Sequence, residues 1–249
     1  MSSEPDRVLV YAFGAERAEL AQRIRQLGYE AAVETEPRAA VARVANPAEP
    51  VRAVLIPADF ALPQRAGELD QLSRGAGAAG LRFVAVGARP ADDALRQLHD
   101  RHVRLGLWSP FHERELRFVL NRALFDPTLG FYDPEKPDAR HDLRVPTSLG
   151  ARIVVAEREK PAQVYSLAVG GCFLETPRPT LVGGLIEIVL PLPPGELRVS
   201  GRVVLTNVPG NLARTNLPRG MGVEFLRLSP DAREAIQHYV SERARAYEI

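Results

Sequence analysis

The first half of the chain alternates short apolar runs with amphipathic segments. Five runs rich in aliphatic and β-branched residues predict buried strands at residues 7–13, 29–33, 51–56, 81–86 and 103–108. Apolar residues at helical spacing predict helices at residues 15–27, 38–44, 91–100 and 113–125. Pro57 and Pro63 predict a loop after the third run. This alternation is typical of an α/β domain in which helices cover both faces of a parallel sheet.

The pattern changes after residue 125. Residues 126–139 contain three prolines and four acidic residues with little periodicity, which predicts a linker. Beyond them, short apolar runs are separated by turns that contain Gly and Pro, and they begin at Ala151, Gly171, Leu185, Leu197 and Met221. Such runs predict a small barrel or sandwich. The chain is therefore expected to hold an α/β domain at residues 1–125, a linker at 126–139 and an all-β domain at 140–249.

One helix is predicted at the end of the second domain. Ser229 suits the N-cap position, Pro230 suits the first turn, and Asp231 lies near the positive end of the helix dipole. The residues that follow form one apolar stripe, made of Ala232, Ala235, Ile236, Tyr239 and Val240. This stripe predicts that the helix packs against the barrel.

Composition narrows the class of protein. The chain carries 32 Lys and Arg against 31 Asp and Glu, a formal net charge of +1, which gives no global attraction to nucleic acid or to anionic membranes. A single cysteine, Cys172, excludes an intramolecular disulfide and favours a cytoplasmic location. The first residues lack the apolar run of a signal peptide, and no stretch approaches the roughly 20 apolar residues of a membrane helix. We therefore expect a cytoplasmic protein without membrane insertion or nucleic-acid binding.

Two sequence motifs look like functional sites, but the sequence around each of them does not fit such a site. Residues 75–80, GAGAAG, spell a dinucleotide-binding loop, but they precede a predicted strand instead of following one, which favours a plain connection. His99 and His102 are three residues apart, yet no thiol or clustered carboxylate joins them, and a metal site needs three or four convergent ligands. Neither a nucleophile elbow nor a credible cysteine nucleophile is present. We expect no enzymatic activity, no metal and no cofactor.

The order of elements in residues 7–125 resembles the receiver domain of bacterial response regulators. The likeness is best in LWSPFHERELRFVLNRAL at residues 107–124, where Pro110 and Phe111 match a cis-proline turn. Leu116, Val119 and Leu120 match the core positions of the last helix. The resemblance implies a flavodoxin-like, doubly wound parallel sheet. It also implies a last helix, at residues 113–125, that contributes to a face which receiver-like domains often use to form homodimers.

The residues that carry receiver chemistry are replaced. Phosphoryl transfer in that family requires two acidic side chains that hold magnesium after the first strand. Here those positions read AFGA at residues 12–15. Pro57 stands at the phosphoaspartate position with Asp59 two residues later, Gly87 replaces the hydroxyl residue, and Ser109 replaces the lysine. We therefore predict a pseudo-receiver that is not phosphorylated and that serves as a scaffold or docking surface.

Residues 140–249 resemble the PilZ domain, the bacterial module that senses cyclic di-GMP. The matching features, in the family's order, are Arg140 and Arg144, SLAVGGCFL at 166–174, LPLP at 190–193, VSGRVV at 199–204 and GMGVEF at 220–225. The resemblance implies a β-barrel with a C-terminal helix. It also implies that the two arginines grip the phosphates of the ligand and stack on its guanines, as a planar guanidinium can.

A second motif of that family, which hydrogen-bonds the guanine edge, is partly altered. Carried over residue by residue, its Asp or Asn position is Ser166, its Ser position is Ala168, and Gly170 and Gly171 remain. The resemblance therefore implies a cyclic di-GMP site made of Arg140, Arg144, Ser166, Ala168, Gly170 and Gly171. Two weakened contacts, at about 1 kcal/mol each or more where a buried partner is left unpaired, predict an affinity roughly ten- to a few-hundredfold below that of a full motif.

Two functions fit these features. The first is a cyclic di-GMP-binding effector that acts through protein partners in motility or surface behaviour. The second is a ligand-independent adaptor whose PilZ and receiver domains have both lost their sensory chemistry. The structural alternative to ligand binding is that Arg140 and Arg144 pair with acidic residues of the linker such as Asp133, Glu135 or Asp138, and such exposed ion pairs are common and individually weak.

Overall fold

The chain divides into two units, each with its own sheet. The computed structural model describes residues 7–76, 81–125, 143–155, 158–193, 195–209, 217–247 and 249. The first unit comprises residues 1–140 together with residues 246–249, and the second comprises residues 141–245. Within the described residues, none of the helices combines the length and apolar character needed to cross a lipid bilayer.

The first unit contains five parallel strands in the order β2-β1-β3-β4-β5. Their bounds are β1 (Arg7–Tyr11), β2 (Glu30–Glu34), β3 (Val51–Pro57), β4 (Arg82–Gly87) and β5 (Leu105–Trp108). The central strands β1, β3 and β4 are apolar almost throughout because helices cover both of their faces. This strand order is that of the flavodoxin-like, doubly wound fold, so the predicted fold class of the first half is confirmed.

Four α-helices connect the strands, α1 (Arg17–Gln26), α2 (Pro37–Val44), α3 (Ala66–Ala76) and α4 (Asp92–Asp100), and α5 (Glu113–Phe125) follows β5. Four of these five helices agree with the predicted helices to within about two residues at each end. The loop predicted after β3 is wrong, since this segment contains two short 3-10 helices, Ala58–Ala61 and Pro63–Arg65, and then α3. Only Leu69 and Leu72 of α3 are large and fully buried, too few apolar positions to reveal a helical period.

The edge of the parallel sheet at β5 is covered by the end of the chain. Gly106 donates its backbone N–H to the carbonyl of Tyr247 at 2.9 Å, and Ile249 donates to the carbonyl of Arg104 at 3.3 Å. Tyr247 and Ile249 therefore pair with β5 in the antiparallel sense, and they satisfy backbone groups that an edge strand would otherwise expose. The Tyr247 ring is 4% exposed and meets the Phe118 ring edge-on, with 6.5 Å between the ring centroids.

The second unit is an antiparallel barrel. Its strands are β6 (Arg144–Pro146), β7 (Gly150–Val155), β8 (Arg158–Ala168), β9 (Gly171–Glu175), β10 (Leu185–Leu192), β11 (Gly195–Asn207) and β12 (Gly220–Leu226). Six of them pair in the order β8-β7-β10-β11-β12-β9, and the pairing of β8 with β9 closes the ring. The predicted barrel is confirmed. Strand β6 lies outside this ring, and among the described strands it pairs with β8.

Strand β8 connects the barrel to β6. Its first half pairs with β7, and its last residues pair with β6 on one side and β9 on the other. The first half is polar and exposed and contains Pro161, so the hydrophobic pattern shows no strand there. The second half, from Val164 to Ala168, is buried throughout because the barrel core and β6 cover it.

The last helix, α6 (Pro230–Ala244), agrees with the predicted one. Ser229 caps it, its Oγ accepting the backbone N–H of Ala232 at 3.2 Å. Its buried residues are spaced four apart, as a stripe on one face requires, and are Ala232, Ile236, Val240 and Ala244. Ala235 and Tyr239, which were predicted in the same stripe, are only partly buried.

Candidate functional site

Arg144 is held at the start of β6, against the end of β8. The two strands pair antiparallel, with Arg144 opposite Ala168 and Pro146 opposite Ser166. The Nη1 group of Arg144 donates a hydrogen bond to Oγ of Ser166 at 3.1 Å. The structure thus brings together three of the predicted site residues, while Arg140 lies outside the described residues.

The position of β6 is fixed from three sides. Val145 is 1% exposed and belongs to the barrel core. Thr147 donates its backbone N–H to the carbonyl of Tyr165 at 3.1 Å. From α6, Nε of Arg243 donates to the carbonyl of Pro146 at 3.2 Å. These contacts give the backbone on both sides of Arg144 a defined place, and Arg243 is a positioning residue that the sequence pattern did not single out.

Ser166 and Ala168 lie next to Arg144 but expose little surface. Ser166 is 3% exposed and Ala168 is 1% exposed. Both belong to the same face of β8 because alternate residues of a strand point the same way. The hydroxyl of Ser166 accepts the bond from Arg144, and the methyl group of Ala168 offers no polar atom. Ser166 therefore orients the side chain of Arg144, and neither Ser166 nor Ala168 offers a ligand much hydrogen bonding.

The two glycines have different surroundings. Gly170 is exposed in the turn between β8 and β9, and its carbonyl accepts the N–H of Phe225 at 2.9 Å. Gly171 is buried, and a Cβ placed on it would lie 2.2 Å from the carbonyl oxygen of Val223. No side chain fits at that distance, so the close approach of β9 and β12 requires glycine at position 171.

Cys172 lies directly behind this site. It is 1% exposed, and burial raises the pKa of its thiol to about 12, although the nearby positive charge of Arg144 opposes the shift. At neutral pH the thiol is therefore protonated. A protonated and inaccessible thiol is a poor nucleophile. Because Cys172 lies near Arg144, the rate at which its thiol is labelled measures how accessible this region is.

At the carboxyl edge of the parallel sheet, the described residues differ from those that the receiver resemblance requires for phosphoryl chemistry. Strand β3 ends at Pro57, and Asp59 lies in the following 3-10 helix, where its carboxylate pairs with Nη1 of Arg65 at 3.1 Å. Ala12 and Phe13 follow β1 in place of an acidic pair. The Ser109–Pro110 peptide bond is cis, as the receiver resemblance implied. Among the described residues, no group of three or more His, Cys, Asp or Glu side chains could hold a metal ion.

Comparisons with known proteins identify the second unit. Residues 138–242 match the family model described as the PilZ domain. The PilZ domain of Escherichia coli YcgR, solved with c-di-GMP, is 17% identical over 43% of this chain and 92% of that chain, with a TM-score of 0.35. Bacillus subtilis MotI/DgrA, an inhibitor of motility, is 18% identical over 43% of this chain and 51% of that chain, with a TM-score of 0.35.

A CheY-like receiver domain protein from Methanospirillum hungatei is 16% identical over 49% of this chain and 94% of that chain, with a TM-score of 0.41. The chain spans about half the length of the Bacillus subtilis inhibitor, at 51%. A search of curated protein sequences finds no significant match. The family match coincides with the six-stranded barrel and its C-terminal helix, so residues 138–242 of this chain are a PilZ domain.

Proposed function

We propose that this chain is a signalling protein whose PilZ domain binds cyclic di-GMP and passes the signal on through protein–protein interaction. The observation that carries the proposal is the placement of Arg144, within the matched domain, with its guanidinium bonded to Ser166 at 3.1 Å. Cyclic di-GMP offers two phosphates and two guanine rings. A guanidinium can fork onto a phosphate oxygen pair or stack flat on a purine, so one residue type suits both parts of the ligand.

Arg140 is proposed to act together with Arg144. The two residues are four apart in the lead-in to the barrel, a spacing that allows both guanidinium groups to converge on one anionic ligand. Gly170 and Gly171 are proposed to border the ligand where β8 turns into β9, with Ser166 and Ala168 behind Arg144. The arginines supply the charge and the stacking, and the strand residues supply the shape of the site.

The affinity is expected to be modest. Ser166 has a shorter polar side chain than the Asp or Asn of the family motif, and its hydroxyl already accepts a bond from Arg144. Ala168 cannot donate or accept. Each missing hydrogen bond costs about 1 kcal/mol, so the loss of two lowers the affinity about tenfold or more. Binding in the micromolar range fits a site in which charge and stacking dominate.

We propose three segments, which are a pseudo-receiver at residues 1–125, a linker at 126–139 and the PilZ domain at 140–249. The signal of ligand binding is proposed to pass from the PilZ domain to the pseudo-receiver. Cyclic di-GMP bound at Arg140 and Arg144 acts next to that linker in the sequence. A ligand shifts a conformational equilibrium only by the difference in its affinity for the two states. Protein partners in motility or surface behaviour are the proposed recipients of the signal.

A ligand-independent adaptor is the second candidate function. It is favoured by the replacement of receiver chemistry at the carboxyl edge of the first sheet and by the two altered positions, Ser166 and Ala168, in the second unit. On this view the hydrogen bond between Arg144 and Ser166 is structural, and both units serve as binding surfaces. The adaptor and the effector differ in one respect that can be measured, which is the response to cyclic di-GMP.

Calorimetric titration of the full chain with cyclic di-GMP tests the proposal. We expect saturable heat with a micromolar dissociation constant, and at least a tenfold loss of affinity in Arg144→Ala, since a charge-assisted contact is removed. Arg198→Ala is the matched control, because Arg198 lies exposed on β11 and pairs with Glu187 at 2.6 Å. Absence of heat at tens of micromolar protein would favour the adaptor, and unchanged binding in Arg144→Ala would place the ligand elsewhere.

A further inference from the structure

The first unit contains a pocket at the carboxyl ends of its central strands. The pocket has a volume of about 690 Å³, and its walls include Phe13 after β1, Pro57 at the end of β3 and Gly87 at the end of β4. Strand order reverses between β1 and β3, and open α/β sheets bind ligands in the crevice at such a switch point. The volume lies within the range of small-molecule sites, roughly 300–1,000 Å³.

The interior of this pocket is apolar. Phe13, Leu20 and Val86 contribute to its walls and are 6%, 5% and 4% exposed. Leu62 stands at the pocket and is 52% exposed, one of the few large apolar side chains of the first unit that reaches the solvent. A phosphoryl group or a hydrated metal ion gains nothing from such walls, whereas an apolar organic group does.

The polar groups of the pocket favour a cation over an anion. Glu16, the N-cap residue of α1, and Glu19, in its first turn, line the pocket, and both are exposed. The N-terminus of α1 contributes about half a positive charge, less than either carboxylate. Asp59 is also part of the lining, and it shares Arg65 with Glu68, at 3.1 Å and 3.4 Å.

Arg23 shows how a cation is accommodated in this pocket. Its guanidinium carbon lies 4.6 Å from the centroid of the Phe111 ring, and its Nη2 donates to the Phe111 carbonyl at 3.3 Å. Aromatic faces attract cations of this kind. Among these lining residues, the two carboxylates of Glu16 and Glu19 outnumber the one guanidinium of Arg23, so their formal charges sum to a net negative charge.

The geometry points to a binding site for a small organic cation, an apolar or aromatic group that bears a protonated amine. The apolar group would occupy the space between Phe13, Leu20 and Val86, and the ammonium would lie toward Glu16 and Glu19. All of its residues belong to the first unit, and none of them is a residue of the proposed cyclic di-GMP site. It uses the sheet edge at which the receiver chemistry is replaced.

Two probes of matched shape and opposite charge test this inference. The amide signals of Phe13 and Gly87 are followed by NMR while the full chain is titrated with 2-phenylethylammonium or with 3-phenylpropanoate. Fragments of this size bind with dissociation constants on the order of 1 mM. We expect the ammonium probe to shift both signals and to bind at least about threefold more tightly than the carboxylate probe, since exposed charge pairs contribute modestly.

Variants separate the contribution of charge from that of shape. Glu16→Gln and Glu19→Gln should each weaken the ammonium probe about threefold and leave the carboxylate probe no weaker. Glu234→Gln, the same change on the exposed side of α6 in the other unit, should alter neither. Ala88→Trp, at an exposed position of the pocket lining, should weaken both probes by filling the space. Equal binding of the two probes would overturn the charge assignment, and unshifted signals at about 10 mM would overturn the site.

Discussion

At the residue scale, the candidate site depends on a small number of polar atoms. Arg144 and Ser166 are joined by one hydrogen bond, and Ala168 sits beside them with a methyl group where the family motif has a hydroxyl. A buried polar group that lacks a hydrogen-bond partner lowers the free energy of unfolding. Each of these side chains therefore affects both the shape of the site and the stability of the domain. Affinity and stability should therefore change together when this pair of positions on β8 is altered.

Restoring the family motif should strengthen binding. We expect the double variant Ser166→Asp with Ala168→Ser to bind cyclic di-GMP about tenfold or more tightly than the natural chain, because two hydrogen bonds to the guanine edge return. Calorimetry measures this change, and thermal unfolding checks that the buried substitutions are tolerated. Ser166→Ala is the control, and it should not gain affinity. A correctly folded double variant without improved binding would contradict the assignment of these positions.

Cys172 should behave as a shielded thiol with an alkaline transition. Burial raises its pKa to about 12, so the native chain keeps a proton that the unfolded chain releases above its ordinary pKa of 9.0. Stability from this group is therefore fully present below pH 9 and declines as the pH rises toward 12. A thiol reagent should label Cys172 slowly in the native protein at pH 8 and rapidly in denaturant. Fast native labelling would show that the region behind Arg144 is open.

At the scale of elements, the success of prediction followed the clarity of the pattern. Strands β1 and β3 and helices α5 and α6 have regular apolar spacing, so they were predicted closely. Helix α3 was missed because it buries only two large side chains, and β8 was missed because its first half is polar and contains Pro161. Tertiary contacts stabilise both elements, and the local sequence does not encode those contacts. Strand β8, for example, pairs with the three strands β6, β7 and β9.

The pairing of Tyr247 and Ile249 with β5 leads to a prediction about the first unit. Tyr247 is 4% exposed, and its hydroxyl donates to Glu115. We expect Tyr247→Ala to destabilise the first unit by about 3 kcal/mol, in the range of buried aromatic truncations, and Tyr247→Phe by about 1 kcal/mol. Urea unfolding followed by Trp108 fluorescence reports on this unit, since Trp108 is the single tryptophan and lies in β5. An unchanged transition in Tyr247→Ala would show that these residues do not stabilise β5.

At the scale of the whole molecule, sequence alone could identify two folds but only part of a site. Two patterns were enough to predict the two fold classes. The first is the alternation of strands and helices, and the second is the series of apolar runs separated by turns, because each fold buries its apolar residues at a characteristic spacing. The contact of Arg144 with Ser166 depends on the antiparallel register of β6 and β8, and the support from Arg243 depends on the docking of α6. The first contact joins residues that are 22 positions apart and the second joins residues that are 97 positions apart, so the local spacing of residues does not predict either of them.

The central claim is that cyclic di-GMP binds beside Arg144 on the PilZ barrel, and NMR mapping of the full chain tests it most directly. Titration with the ligand should shift the backbone amide signals of Val145, Leu167 and Cys172 in a saturable manner. Signals from the core of the first sheet, such as Val54 and Ala85, should keep their positions. Saturable shifts at the first set would support the account. Spectra that stay unchanged at millimolar ligand, or shifts confined to other parts of the barrel, would contradict it.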